Sequence, residues 1–187
     1  YHLKNSDFAV LYRTNAQSRS MKDALRKLNI PYRVYGGMSF YKRKEVKDLI
    51  AYFRIVINPN DNEAFYRIVN YPARGIGNTT LHKISVHASE QEVPVWAILQ
   101  NIDIYHHDFN ASTIKRLKDF MELIRHYQQQ LLTSTAWELA TKIATGSGLV
   151  KELFEDRSPE GIARYENIES VLNGIRSFED EYEQAND

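Results

Sequence analysis

Gly75 and Gly77, separated by Ile76 in the stretch N-Y-P-A-R-G-I-G-N-T-T from Asn70 to Thr80, have the spacing of a phosphate cradle. Glycines lack a Cβ, so a ligand can come close to their backbone. The first turn of a following helix adds unpaired N–H groups and a partial positive charge. A nucleic-acid phosphate suits such a cradle. Arg74 would add a charge and Thr79 and Thr80 hydroxyl donors, while Ile76 would anchor the hairpin to its helices rather than touch a ligand. The competing reading is a plain helix-to-helix turn with a glycine kink, because G-x-G is common in loops.

A second stretch with chemical potential is L-Y-R-T-N-A-Q-S-R from Leu11 to Arg19, a strand end followed by a polar turn into a helix. Open α/β sheets bind ligands at such places. Gly146-Ser147-Gly148 can be read as another phosphate hairpin, but a helix C-terminus needs glycine anyway and the neighbourhood is acidic. His106-His107 and Asp108 approach a ligand cluster, yet adjacent side chains diverge and a solvated loop explains them as well. Catalytic motifs are missing: there is no G-x-x-x-x-G-K-[ST] loop, no H-E-x-x-H and no G-x-S-x-G elbow. No metal site is expected, and this stretch alone should not hydrolyse ATP.

The elements that must position these residues follow from periodicity. Phe8 to Tyr12 is a continuous apolar run, as in a strand buried on both faces, and Met21, Leu25 and Leu28 share a helix face within Ser18 to Leu28. Ile30, Tyr32 and Val34 alternate as a second strand ending at Gly36-Gly37. Val46, Leu49, Ile50, Phe53 and Ile57 form an amphipathic helix that stops before Pro59. Residues 1–57 therefore read β-α-β-α, an incomplete α/β piece, since two strands do not make an independently stable parallel sheet.

Everything after Asn58 reads as helical. Phe65, Ile68 and Val69 precede the glycine hairpin on one face, and Leu81, Ile84 and Ala88 follow it on another, which is helix-hairpin-helix logic. Val95 to Leu99 begins a short helix. A long apolar stripe of Ile114, Leu117, Phe120, Met121, Ile124, Tyr127 and Leu131 is expected to follow a cap at Ser112-Thr113. Thr135-Ala136-Trp137-Glu138 is a capping box opening a helix that ends at Gly146. Ser158-Pro159-Glu160 opens the last helix, with Tyr165, Ile168, Val171, Leu172, Ile175 and Phe178 expected inward.

Composition bounds the class. With 187 residues, 43% apolar and 12% aromatic, the chain can bury a real core. The absence of cysteine excludes a disulfide scaffold and a thiolate zinc site, and is compatible with a reducing cytoplasm. No apolar run approaches the roughly 20 residues of a membrane span. No Met opens the chain, which is expected to be part of a larger protein. Its net charge of zero hides an asymmetry: residues 1–57 carry 12 Lys+Arg against 4 Asp+Glu, the remainder 12 against 20. A basic front segment is what a polyanion-binding surface needs. The acidic excess lies mostly after residue 125, with 12 acidic against 5 basic residues, so duplex binding is not expected there.

Three ordered motifs unite these segments: the Leu11–Arg19 turn, Y-R-V-Y-G-G-M-S-F-Y-K-R-K-E-V-K-D-L-I-A-Y-F-R from Tyr32 to Arg54, and N-Y-P-A-R-G-I-G-N-T-T-L from Asn70. Together they closely resemble superfamily I DNA helicases of the UvrD, PcrA and Rep group, strongly over residues 7 to about 100 and more loosely beyond. The resemblance implies a mostly α fold with a small α/β part. Residues 1–57 would begin the second RecA-like motor domain, 2A. Residues 58–187 would be most of the inserted helical domain 2B, with its duplex-binding hairpin at 70–80.

It also implies single-stranded DNA contacts by Arg13, Asn15, Gln17, Ser18 and Arg19, and by Phe40 and Arg43 on the stretch from Gly36, where Phe40 or Tyr41 would stack on a base. Ser18 as a helix cap, Arg19 paired with Asp23 and Phe40 as packing are the structural alternatives. The duplex contacts would be Arg74, Gly75, Ile76, Gly77 and Thr80, gripping phosphates without reading sequence.

The parent would be a cytoplasmic ATP-dependent 3′-to-5′ DNA helicase of DNA repair. Its ATP and Mg2+ would be bound by motifs outside this chain, with none bound here, and its partners would be single-stranded and duplex DNA and the rest of the helicase, domains 1A and 1B and the remaining 2A. Two other classes stay open: a non-catalytic helix-hairpin-helix DNA-binding module of a repair or recombination protein, and a protein-interaction domain.

Overall fold

The computed structural model describes residues 4–12, 15–34 and 40–186. The chain divides into two compact units, Tyr1–Met38 and Ser39–Asp187. In the first, helix α1 (Asn15–Lys27) follows a 3-10 turn at Asn5–Asp7. Ser18 lies inside α1 and is buried, so it does not cap the helix as one reading of the sequence had it.

The two strands expected at Phe8–Tyr12 and Ile30–Val34 do not form a ladder, and among the described residues there is no strand. The physical reason is the lack of pairing partners. Phe8 is 66% exposed and Leu11 96%, and Val10 and Val34 are also exposed, so these runs have neither the hydrogen-bonding neighbours nor the facing layers that hold a buried strand.

The second unit is helical throughout: α2 (Lys44–Ile57), α3 (Asn62–Ile68), α4 (Asn78–Glu90), α5 (Val95–Gln100), α6 (Ala111–Gln128), α7 (Ala136–Gly146), α8 (Leu149–Glu155) and α9 (Pro159–Asn186). The division expected at residue 57 falls inside this unit, because α2 is embedded in its packing. Tyr52, Ile55 and Val56 of α2 join the main core with Phe65, Ile68, Ile76, Ile84, Leu117 and Phe120. Leu49 joins a second core with Leu149, Leu153 and Ile168. A helix apolar on two faces belongs between layers, which is where α2 lies.

Local signals account for most helix ends. Thr135 Oγ1 accepts from Glu138 N while the Glu138 carboxylate accepts from Thr135 N, the reciprocal box expected for α7. Asp61 caps α3, accepting from Ala64 N at 3.0 Å. The cap of α6 is Asn110, accepting from Thr113 N at 2.8 Å, rather than the expected Ser112-Thr113 pair. Asparagine caps as well as serine, and Asn110 is the residue that stands immediately before the first turn.

Ile168 of α9 is buried and Tyr165, Val171, Leu172 and Ile175 half-buried, whereas Phe178, expected inward, is exposed. Beyond Ile175 the helix is tied down by Glu179, whose carboxylate accepts from the first-turn amides of α7, Ala136 N at 2.9 Å and Trp137 N at 3.4 Å. No helix among the described residues is long and apolar enough to cross a membrane.

Candidate nucleic-acid interface

The loop 69–77 between α3 and α4 is built by its own polar side chains. Asn70 Oδ1 accepts from Arg74 N at 2.9 Å and Ile76 N at 3.0 Å, bending the chain back on itself as short polar side chains do in turns. The Tyr71–Pro72 peptide is cis. Gly75 takes φ +71°, a left-handed conformation that favours glycine. Ile76 is fully buried, and this driven-in wedge fixes the loop to the core, as the sequence suggested.

Gly77 is different. Its backbone is extended, φ −83° and ψ 168°, so any residue could adopt it, and a Cβ there would meet nothing within 4 Å. It is the N-cap of α4 and provides no side chain to satisfy the first-turn amides. Gly77, Asn78 and Thr79 are exposed and Thr80 half-buried, so the uncapped, partially positive end of a 13-residue helix opens on free space.

Arg74, the cation expected to face a phosphate, has its guanidinium turned inward. Nη1 donates to the carbonyls of Ile68 and Pro72, both at 3.1 Å, and Nη2 donates to Tyr52 Oη at 2.7 Å and the Ser147 carbonyl at 3.0 Å. Its carbon lies 5.5 Å from the centroid of the Phe120 ring. Tyr52 in turn donates to the Tyr71 carbonyl at 2.6 Å. Burial pushes the Tyr52 hydroxyl up to about 12, against the opposing pull of Arg74.

The Gly146-Ser147-Gly148 turn joins this assembly from the far side of the sequence. A Cβ on Gly148 would come within 3.5 Å of Pro72, and one on Gly146 within 2.4 Å of Tyr127 Oη. Gly146 thus makes room for the Tyr127 hydroxyl of α6, and Gly148 supplies the αL conformation, φ +87°.

Arg116 on α6 reaches the hairpin, Nη1 donating to the Gly75 carbonyl at 3.0 Å. Asn70, Tyr52 and Arg116 were not singled out by sequence reasoning. An Asn opening a glycine-containing loop is a readable turn signal, but nothing local marks the other two.

The residues assigned to single-stranded DNA fare unevenly. Arg13 and Thr14, and Gly36 with Gly37, lie outside the described residues, as do the side chains of Asn15, Gln17 and Arg19; the backbone places Asn15 to Arg19 in the first turns of α1. Phe40 is half-buried in the 3-10 turn Phe40–Lys42, with Tyr41 edge-on at 5.4 Å and 67% exposed. Arg43 donates to Asn167 Oδ1 of α9, whose Nδ2 donates to Glu45 Oε1 at 2.6 Å. Structure thus commits Arg43 to the joint between α2 and α9.

Around His106-His107 the rings lie 3.8 Å apart, and among the described residues no three His, Cys, Asp or Glu side chains gather to hold a metal ion.

The helical unit thus presents an uncapped helix end behind a glycine-containing loop. Comparison with known proteins then places the chain: residues 2–187 match the family model of the UvrD-like helicase C-terminal domain, and the chain belongs to that family. It is 38% identical to the ATP-dependent DNA helicase PcrA of Leuconostoc citreum over 97% of its length and 24% of that protein's. It is 37% identical to PcrA of Bacillus subtilis over 96% of this chain and 24% of that one. With DNA helicase II of Escherichia coli (strain K12) it shares 34% identity over 92% of this chain and 24% of that one. The chain spans about a quarter of the length of these relatives.

Proposed function

We propose that this chain is the DNA-holding portion of an ATP-dependent 3′-to-5′ DNA helicase acting in DNA repair. The observation that carries the reading is Gly77. The fold does not require glycine there, and the missing side chain leaves the α4 N-terminus open to a phosphate. On this reading α3, the loop 69–77 and α4 form a helix-hairpin-helix that grips duplex DNA through the backbone of Gly75 and Gly77 and through Thr80. Ile76 anchors the grip and Arg74 braces it from behind. Backbone contacts to phosphate are indifferent to sequence, which suits an enzyme that travels on arbitrary DNA.

Residues 1–57 begin the 2A motor domain and 58–187 form most of 2B, with α2 packed against the helices it introduces. The apolar runs left exposed in the first unit support a sheet completed by other parts of domain 2A. Arg13, Asn15, Gln17 and Arg19 with Phe40 contact the single strand, buried Ser18 supports their turn from within, and Tyr41 is the exposed aromatic side chain that stacks on a base. Arg43 supports this path from its seat on Asn167.

ATP and Mg2+ are bound by motifs in parts of the protein outside this chain. The residues present here do not fit them, having no phosphate-cradling G-x-x-x-x-G-K-[ST] loop and no gathered carboxylates among the described residues.

The test is Gly77→Val in the full-length protein. A Cβ at Gly77 meets no protein atom within 4 Å and its φ is ordinary, so the helical signal and melting point should persist while blunt-duplex affinity falls about tenfold or more. Gly75→Val is the poorer probe, because φ +71° strains any side chain and the Cβ would sit 3.0 Å from Arg116 Nη1. Unchanged duplex affinity in Gly77→Val would remove the hairpin from the binding site.

A further inference from the structure

We propose that Arg116, far from the hairpin in sequence, is the cation that meets the duplex phosphate there. The proposal rests on the hairpin reading above and changes which residue supplies its charge.

The cations around the loop can be sorted by what already holds them. Arg74 gives both terminal nitrogens to protein oxygens inside the fold. Lys83 Nζ donates to the Asp108 carbonyl at 2.8 Å, and Lys118 Nζ lies 2.6 Å from an Asp103 carboxylate oxygen. Arg116 is exposed and makes a single hydrogen bond among the described residues, from Nη1 to the Gly75 carbonyl.

That bond seats the guanidinium over the face of Gly75. A Cβ built on Gly75 would lie 3.0 Å from Nη1, 3.1 Å from Cζ and 3.3 Å from Nε, so the missing side chain makes room for the arginine. One N–H pins the plane to the loop. The others keep a planar fork matched to the oxygens of a phosphodiester. Gly77 and the uncapped amides of α4 follow immediately in the chain, with nothing within 4 Å of the Gly77 Cβ position. A phosphate entering this space meets helix amides from one side and a pinned guanidinium from another.

The occupant is the duplex backbone already assigned to the hairpin, and Arg116 adds charge without adding sequence preference. Arg116 lies 41 residues beyond Gly75, on a helix whose apolar stripe explains its own packing. No local motif couples the two.

The experiment measures binding of a labelled blunt duplex to the full-length protein over a series of salt concentrations, for the parent, Arg116→Gln, Arg116→Lys, Lys118→Gln and Gly77→Val. Loss of one phosphate contact should lower affinity about tenfold and make the slope of log K against log salt shallower by about 0.9. Arg116→Gln is expected to do both. Arg116→Lys should keep the slope, because it keeps the charge, and lose only part of the affinity. Lys118→Gln, removing the same charge two residues further along α6, from a position already paired with Asp103, should keep both.

The proposal is overturned if Arg116→Gln keeps the parent slope while Gly77→Val loses affinity, an outcome that leaves the hairpin standing with another cation or none. It is also overturned if Lys118→Gln flattens the slope as much as Arg116→Gln, since net charge would then be responsible, or if Arg116→Lys flattens it equally, since the loss would then be structural. If neither Arg116→Gln nor Gly77→Val changes binding, the hairpin reading and this proposal fall together.

Discussion

Replacing Arg74 by alanine should destabilise the helical unit far more than loss of a surface arginine would. Its guanidinium donates to the carbonyls of Ile68, Pro72 and Ser147 and to the Tyr52 hydroxyl at distances from 2.7 to 3.1 Å, and more distantly to the Val69 carbonyl at 3.5 Å. Alanine leaves the Pro72 and Ser147 carbonyls and the Tyr52 hydroxyl without this donor, while the Ile68 carbonyl keeps its bond from Tyr71 N at 3.0 Å. A buried acceptor deprived of its partner costs about 1–3 kcal/mol, and the low end applies here because the sites are only partly buried and water can enter beside a truncated side chain. Three such losses come to about 3 kcal/mol, which for a chain of this size lowers the melting temperature by about 6–12 °C.

Lysine separates bracing from charge. An ammonium keeps the positive charge but cannot spread four bonds over a planar fork, so Arg74→Lys should lose about half as much stability as alanine. Were Arg74 a phosphate contact on the surface, lysine would keep stability and most of the duplex affinity. The assay is urea unfolding followed by helical circular dichroism, with duplex binding measured well below each midpoint. Because Tyr52 shares the network, Tyr52→Phe combined with Arg74→Ala should cost less than the sum of the two. An Arg74→Ala loss below about 1 kcal/mol, or an Arg74→Lys variant as stable as the parent, would refute the bracing role.

Two further predictions concern stability and pH. The Ala64 amide, and then Arg54, hold the Asp61 carboxyl below its ordinary 3.8, so its contribution is present above that value and disappears as pH falls through the lowered one. Asp61→Ala should cost about 1 kcal/mol at neutral pH and make the parent and variant converge on acidification, read from urea midpoints at each pH. Burial raises the Tyr52 and Tyr71 hydroxyls from 10.0 to about 12, so both keep their protons where the unfolded chain gives them up. Stability from these groups is complete below pH 10.0 and drains away as pH rises toward 12; Tyr52→Phe should flatten that alkaline decline, and an unchanged decline would assign it elsewhere.

Helical elements were legible because their signals are local. The capping box at Thr135 and Glu138, the proline opening α9 and the apolar stripe of α6 each act within a few residues, and the folded chain uses them, except that Leu131, expected to end the stripe, lies beyond α6 and is exposed. The expected strands do not form among the described residues, for the converse reason. An apolar run such as Phe8 to Tyr12 becomes a strand only when another strand pairs with it, and Leu11 stands 96% exposed with no ladder. Asn110 displaced Ser112-Thr113 as the α6 cap because capping depends on one residue's placement, which composition narrows to a few candidates.

Sequence by itself determined the kind of protein this is: the order of its motifs, the glycine pair, and the buried Ile76 that fastens the hairpin between two helices. Only the tertiary structure decided which arginine serves the fold and which faces outward. Arg74 stands beside the glycines in the chain, yet its guanidinium is drawn to carbonyls presented by α3 and by the Ser147 turn, 73 residues away. Arg116, on another helix, is brought to the Gly75 carbonyl. A helix or a cap answers to neighbours along the chain, but the direction of a long charged side chain is settled by which unpaired oxygens packing brings within its reach.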